Sequence, residues 1–330
     1  MLLALLTAGI AGCAGTPVQE QGNVQGGGAA LSGNSGTSGG AAASGVTATS
    51  GSVDPSGGPG SGTSVKPPAN DFEGDDWEIR IIDADGNELR VYTYTELMRP
   101  VAPYEGPYTF YIYSTINNWP SARSYAASGS RVEFILDPWF ETAQTVTFRA
   151  ADGYEISLTR EQILSPQYYY PHAGEGADGA KPVVPIIAWL WREGTEDMSE
   201  IREDKPLLIF GQRTPFEQTN PAFVAGVTEI ILDTAPCEVW QAADTFPQAG
   251  SIEPGGTVKL QHPYFGLVKL HYTLDGSEPT MLSPMYNPST YQTELNKPIP
   301  ITEPTTIKVL VTGYGKNDSE IAVFEFWPEA

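Results

Sequence analysis

Apolar and polar positions alternate from Trp77 onward. Trp77, Ile79 and Ile81 share one side of an extended segment, with Glu78, Arg80 and Ile82 on the other. Asp83-Ala84-Asp85-Gly86-Asn87 then supplies turn chemistry, and Leu89, Val91 and Thr93 resume the alternation, so the spacing predicts a hairpin bent at Asp-Gly. The same acidic turn lacks the later carboxylate and flanking helices of an EF-hand calcium loop. Further extended segments are predicted at 108–113, 131–136, 144–150, 155–158, 186–191, 207–211 and 227–232. Helical signals are short: Thr95–Met98, and Thr159–Leu164 with Thr159 as its N-cap. From about Phe246 the texture becomes wholly β, with strands expected at 258–260, 267–274, 306–312 and 321–326 between Gly, Pro, Asp and Asn clusters. The expected fold class is mainly β with some α+β: a mixed α+β domain over residues 71–234, then an immunoglobulin-like β-sandwich over 235–330.

The preceding residues read differently. Residues 2–12 are apolar or small, the length of a signal-peptide core and too short for a transmembrane helix. The segment Ile10-Ala11-Gly12-Cys13 resembles the lipobox of bacterial lipoproteins, which implies lipidation of Cys13 and attachment to the outer face of a bacterial membrane. No Lys or Arg precedes the apolar run, so residue 1 is expected to fall inside a longer signal sequence. Residues 13–70 are dominated by Gly, Ser, Ala and Thr, a composition that cannot bury enough surface to offset its ordering entropy. That stretch is expected to be a disordered spacer with a root-mean-square reach of roughly 40 Å.

Charge and cysteine content narrow the function. The net charge is −22, and the residues through Asn70 hold only Glu20, Asp54 and Lys66, so nearly all of it falls on the folded part. Such a field disfavours nucleic acid as a partner. Of two cysteines, Cys13 is assigned to lipid, which leaves Cys237 without an intramolecular partner. Beside Ala235, Pro236 and Val239, Cys237 is read as buried and inert, with an exposed thiol as the alternative.

Two further resemblances concern the folded part. The run His271-Tyr272-Thr273-Leu274-Asp275-Gly276-Ser277-Glu278-Pro279-Thr280, followed by Ser283-Pro284-Met285-Tyr286 and Thr305–Val311, resembles the chitobiase/hexosaminidase C-terminal (GH29D-like) β-sandwich over residues 247–327. That likeness implies an accessory module without catalytic residues. Segment 75–233 resembles the molybdopterin-binding fold of sulfite-oxidase-like oxidoreductases, on Val146–Tyr154, Ile156–Thr159, Pro206–Gly211 and Phe223–Ile230. In that family a cysteine thiolate ligates molybdenum in the region matching 113–119. This chain reads Tyr-Ser-Thr-Ile-Asn-Asn-Trp there, and a hydroxyl is a poor substitute for a soft thiolate. Fold without cofactor is therefore the expectation, with molybdopterin disfavoured.

No catalytic constellation assembles from the sequence. His172, His262 and His271 lack metal-ligand spacing, and there is no nucleophile elbow, phosphate loop or dinucleotide fingerprint. Aromatic clusters remain as ligand-binding candidates: Trp119 with Arg123, the run Tyr168-Tyr169-Tyr170, and His172 in the loop after it. Trp189 and Trp191 are expected on one strand face, where core packing competes with ligand stacking. The favoured function is a non-catalytic, lipid-anchored surface protein that binds glycan, cell-wall polymer or another surface protein. The alternatives are an exported molybdopterin-type oxidoreductase with a cysteine-free site, and a structural subunit of a surface assembly.

Overall fold

Strands dominate, and the pairing divides them into two sandwiches. The computed structural model describes residues 77–98 and 109–329. The apolar leader, Cys13 and the Gly/Ser-rich tract lie outside these residues. All described strands belong to one compact unit, Ser64–Ala330.

In the first sandwich, one sheet has the order β2 (Glu88–Thr93), β1 (Glu78–Asp83), β12 (Val227–Asp233), β5 (Thr145–Ala150), β6 (Glu155–Thr159). The second has the order β11 (Val224–Ala225), β10 (Arg202–Ile209), β9 (Ile186–Glu193), β4 (Ser121–Arg131), β3 (Thr109–Asn118). Hairpins and antiparallel neighbours build both sheets, except that β1 runs parallel to β12 from the far end of the domain. Ile79, Ile81, Val146, Phe148 and Ile230 point from the first sheet at Ile187, Trp189, Leu208 and Val224 of the second. The other face of the second sheet is covered by a short ribbon, β7 (Gln167–Tyr169) with β8 (Lys181–Val183), over Tyr113, Tyr125, Ile186 and Ile209.

The predicted Asp-Gly hairpin joins β1 and β2. Gly86 takes φ +86°, and the Asp83 carboxylate is consumed by the turn, accepting from the Asp85 and Asn87 backbone and from Asn87 Nδ2. The hydrogen bonds hold Asp83 below its usual pKa. Thr159 caps a single helical turn, α1 here (Arg160–Leu164), in a full capping box with Gln162.

Two expectations are corrected. Residues 132–136 form a helical turn rather than a strand. Val132, Ile135 and Leu136 are the buried residues, the i, i+3, i+4 pattern of one helical face. Trp189 and Trp191 do not share an environment. The β4–β9 register shifts between Ser128 and Gly129, which face Leu190 and Ala188, so Trp189 is the extra residue of a bulge. Trp189 is fully buried between the sheets, whereas Trp191 packs on the ribbon side beside Ala127 and Ala188. Gly129 makes the bulge feasible: a Cβ there would stand 1.9 Å from the Ile187 carbonyl oxygen.

The second sandwich pairs β13 (Asp244–Phe246), β15 (Thr257–Gln261) and β17 (Ile299–Pro300) against the sheet β14 (Gly250–Ile252), β19 (Ala322–Pro328), β18 (Thr305–Gly313), β16 (Val268–Thr273). Val258, Leu260, Leu270, Ile307, Val309, Val311 and Phe326 fill its core. Alternate residues of β18 supply three of these, as a strand with one face buried requires.

Candidate functional site

Polar side chains bind the two sandwiches together and line a cavity between them. Gln162 closes the α1 capping box with its Oε1, then donates from Nε2 to the carbonyls of Gly313 (2.7 Å) and Lys316 (3.1 Å), while Gly315 N donates to Oε1 at 3.0 Å. Gln218 Oε1 accepts from the Thr290 backbone and hydroxyl, at 3.1 and 3.2 Å. Gln292 accepts from the Trp119 backbone at 2.6 Å.

The organising element on the first sandwich is the loop 211–222, between β10 and β11. Its backbone and side chains are stitched to β3. Ser114 Oγ donates to Gln212 Oε1 at 2.6 Å, Thr115 Oγ1 accepts from the Thr219 and Asn220 backbone, and Gln218 Nε2 donates to the Asn117 carbonyl. This lattice holds Arg213 against Glu217. Arg213 Nε and Nη2 donate to Glu217 Oε1 at 2.9 and 2.6 Å, and the Arg213 backbone donates to Oε2 at 2.6 Å. Tyr314, from the second sandwich, donates its hydroxyl to the same Oε1 at 2.9 Å. Burial opposes charge on Glu217, yet Arg213 and these donors hold its carboxyl below the usual range. Tyr314 is raised well above its ordinary pKa by burial and by Glu217.

The cavity beside this cluster has a volume of about 360 Å³. Its charged and polar wall includes Arg213, Glu217, Gln218, Lys269, His271 and Tyr314, with Glu155 and Lys316, paired to Arg149 and Glu238, also lining it. Ile156, Trp240, Leu267, Met281 and Met285 form the apolar part. His271 Nδ1–H donates to the Ser283 carbonyl at 3.2 Å, and burial lowers the pKa of the ring. Glu217, the one buried carboxylate named in this wall, is saturated by donors, so it is poorly suited to act as a general base.

The residues flagged in the sequence are only partly gathered. Trp119, Tyr168 and Tyr170 meet in a small cluster with Ile116 and Ala173, the Tyr168 and Tyr170 rings lying 5.9 Å apart. Tyr170 is buried and Trp119 half-buried against Phe216, so the cluster packs rather than forming an open platform. Tyr169 faces the opposite way, buried under the Lys181 ammonium in the ribbon-side core. Arg123 is paired with Glu193. His172 is exposed, and its carbonyl accepts from Glu175 and Gly176. Cys237 is half-buried, with its thiol directed at the Gln144 carbonyl at 3.1 Å.

The cleft residues Arg213, Glu217, Lys269 and Tyr314 escaped sequence reasoning. The available signal was the polar density of Gln212–Asn220 around Pro215, with Arg213 and Glu217 four residues apart.

The stretch 113–119, where the sulfite-oxidase resemblance would put a molybdenum ligand, is occupied by groups that hold the fold. Tyr113 donates to the Val184 carbonyl, Ser114 donates to Gln212 and accepts from Tyr170 N, and Thr115 accepts two backbone donors. Every hydroxyl of that stretch is buried and engaged in holding the fold, and no thiol stands among them. These residues do not fit a metal-bound pterin. Among the described residues no group of three His, Cys, Asp or Glu side chains is placed to hold a metal ion.

Comparison with known families bears on the second sandwich. A family model described as "Fn3 associated" matches residues 264–326, from the turn before β16 to β19. The match spans part of the second sandwich and, with its sheet-rich fold, points to a fibronectin-III-like β-sandwich there, a kind of domain that suggests a binding or interaction module. No curated protein matches the chain.

Proposed function

We propose that this chain is a non-catalytic surface protein, exported and lipid-anchored through Cys13, which holds an envelope glycan or cell-wall polymer in the cleft between its two sandwiches. The observation that carries the reading is the cleft itself. It is an apolar-walled cavity at a domain interface with a few convergent polar groups, the usual place and make-up of a small-ligand site. Its buried carboxylate, Glu217, is held by four hydrogen bonds, which favours holding a ligand over transforming one. The Fn3-associated match supports an interaction module, and the likeness of Tyr272–Thr280 to GH29D-like modules supports glycan as the partner. The acidic surface, with 40 Asp and Glu against 18 Lys and Arg, supports a polymer or protein partner over nucleic acid.

Two measurements test this. The purified full chain is expected to be retained on immobilised envelope polysaccharide of its own cells and to release no new reducing ends from it. Ser157 of β6 also lines the cleft, and a cleft-filling Ser157→Trp variant is expected to lose retention. Reducing-end release would overturn the non-catalytic reading. For the anchor, cells fed an alkynyl fatty acid are expected to label the wild type and not Cys13→Ser, and an unlabelled wild type would refute it.

A further inference from the structure

Among the described residues none supplies a counter-charge to Lys269. Its ammonium faces Gln218 Oε1 at 3.2 Å, the Asn287 and Pro288 carbonyls at 3.3 and 3.4 Å, and Thr290 Oγ1 at 3.5 Å. All four acceptors are neutral and all stand at the long end of hydrogen bonding. Among the described residues none of the ion pairs includes Lys269, although the chain has 40 acidic residues against 18 basic ones. Burial alone pushes its pKa down to about 8. A mostly buried charge is ordinarily paired, because desolvation is costly. In so acidic a chain, a carboxylate partner would have been easy to supply.

Trp240 closes the same wall, its indole nitrogen packed against Gly313. The cavity therefore presents a largely buried ammonium without a counter-ion among the described residues. Leu267 (68 % exposed), Met281 and Met285 offer an apolar flank beside it.

We infer that the cleft takes a sugar acid: the ligand's carboxylate serves as the counter-ion of Lys269, while its ring lies against the Leu267, Met281 and Met285 flank. This rests on the cleft being the ligand site, and adds the chemical class that it selects. A single uronate on an otherwise neutral surface polymer has that chemistry, one anionic group on a ring with apolar C–H faces, without the repulsion that a net charge of −22 sets against a polyanion.

Ligand-observed NMR titrations of the full chain with sodium D-glucuronate, D-glucose and sodium hexanoate test it. Glucuronate is expected to bind at least about tenfold more tightly than glucose, a difference of about 1.4 kcal/mol. Lys269→Met is expected to abolish that advantage and Lys269→Arg to retain most of it, with thermal melting confirming that each variant is folded. Should Lys269→Met fail to fold, the glucuronate-to-glucose ratio in the wild type and Lys269→Arg decides. Equal binding of glucuronate and glucose, both blocked by Ser157→Trp, overturns the counter-ion role and leaves the cleft reading standing. Hexanoate binding as tightly as glucuronate overturns the sugar assignment. Absence of binding by all three overturns the sugar-acid inference, whereas polysaccharide retention judges the cleft reading separately.

Discussion

The Tyr314 hydroxyl of one sandwich donates to the Glu217 carboxylate of the other at 2.9 Å, on the same oxygen that takes two nitrogens of Arg213. A buried ion pair thereby becomes a joint between domains. Removing one partner of such a pair leaves an uncompensated charge, at a cost of about 3–5 kcal/mol. Glu217→Gln is expected to lose stability near the lower end of that range, because the amide still accepts from Arg213. Tyr314→Phe, which removes one bond to a charged group, is expected to lose about 1.5–3 kcal/mol. Urea unfolding of both single variants and the double variant measures the coupling, and strictly additive losses would refute a shared joint.

Acid should weaken this joint. Glu217 titrates below its ordinary value of 4.5 in the folded chain. A carboxylate with a depressed folded pKa contributes stability that is present above its unfolded pKa and lost as pH falls through the folded value. The stability gap between wild type and Glu217→Gln is therefore expected to be constant above about pH 5 and to shrink below about pH 4. Asp83, Asp197, Asp275 and Glu238 are also depressed and contribute acid lability to both proteins, so the difference between them isolates Glu217.

Gly129→Ala tests the bulge that turns Trp189 inward. The added carbon would meet backbone of β9 at 1.9 Å, which no rotamer can relieve. Loss of more than about 4 kcal/mol, or failure to accumulate as folded protein, is expected. A near-neutral melting temperature would show that the β4–β9 register is wrong.

Lys269→Met is expected to raise the melting temperature. The amine is destabilising in the folded chain, because it is charged in water and desolvated in the cleft, and methionine fills similar volume without that cost. Sign and pH agree: a folded pKa of about 8 against an ordinary 10.5 means that wild-type stability rises between those values as the unfolded chain holds the extra proton. The advantage of the variant should accordingly vanish toward pH 10.5. A destabilised variant at neutral pH would instead identify Lys269 as a structural clasp for Gln218 and Thr290.

Much of the fold is legible in the sequence because local rules determine it. The alternation around Ile79–Ile81, the Asp83–Asn87 turn and the Thr159/Gln162 cap all depend on neighbours within five residues. The elements misread depend on distant partners. β4 is a Ser/Ala-rich strand buried by β3 and β9, so its own composition does not announce it. The phase of Trp191 relative to Trp189 is set by the Gly129 bulge across the sheet. The cleft is least legible, since Arg213 and Glu217 meet Tyr314 about a hundred residues later. The aromatic run at 168–170 drew attention in the sequence, but its side chains split between two cores.

Hydrogen–deuterium exchange on the full chain, with and without oligosaccharides cut from envelope polymer, tests the binding site most directly. Added protection is predicted in the loop 211–222, at 266–271 and at 312–316, the segments that wall the cleft. Protection confined to residues 168–176 around Tyr168, Tyr170 and His172, with the cleft segments unchanged, would contradict the account.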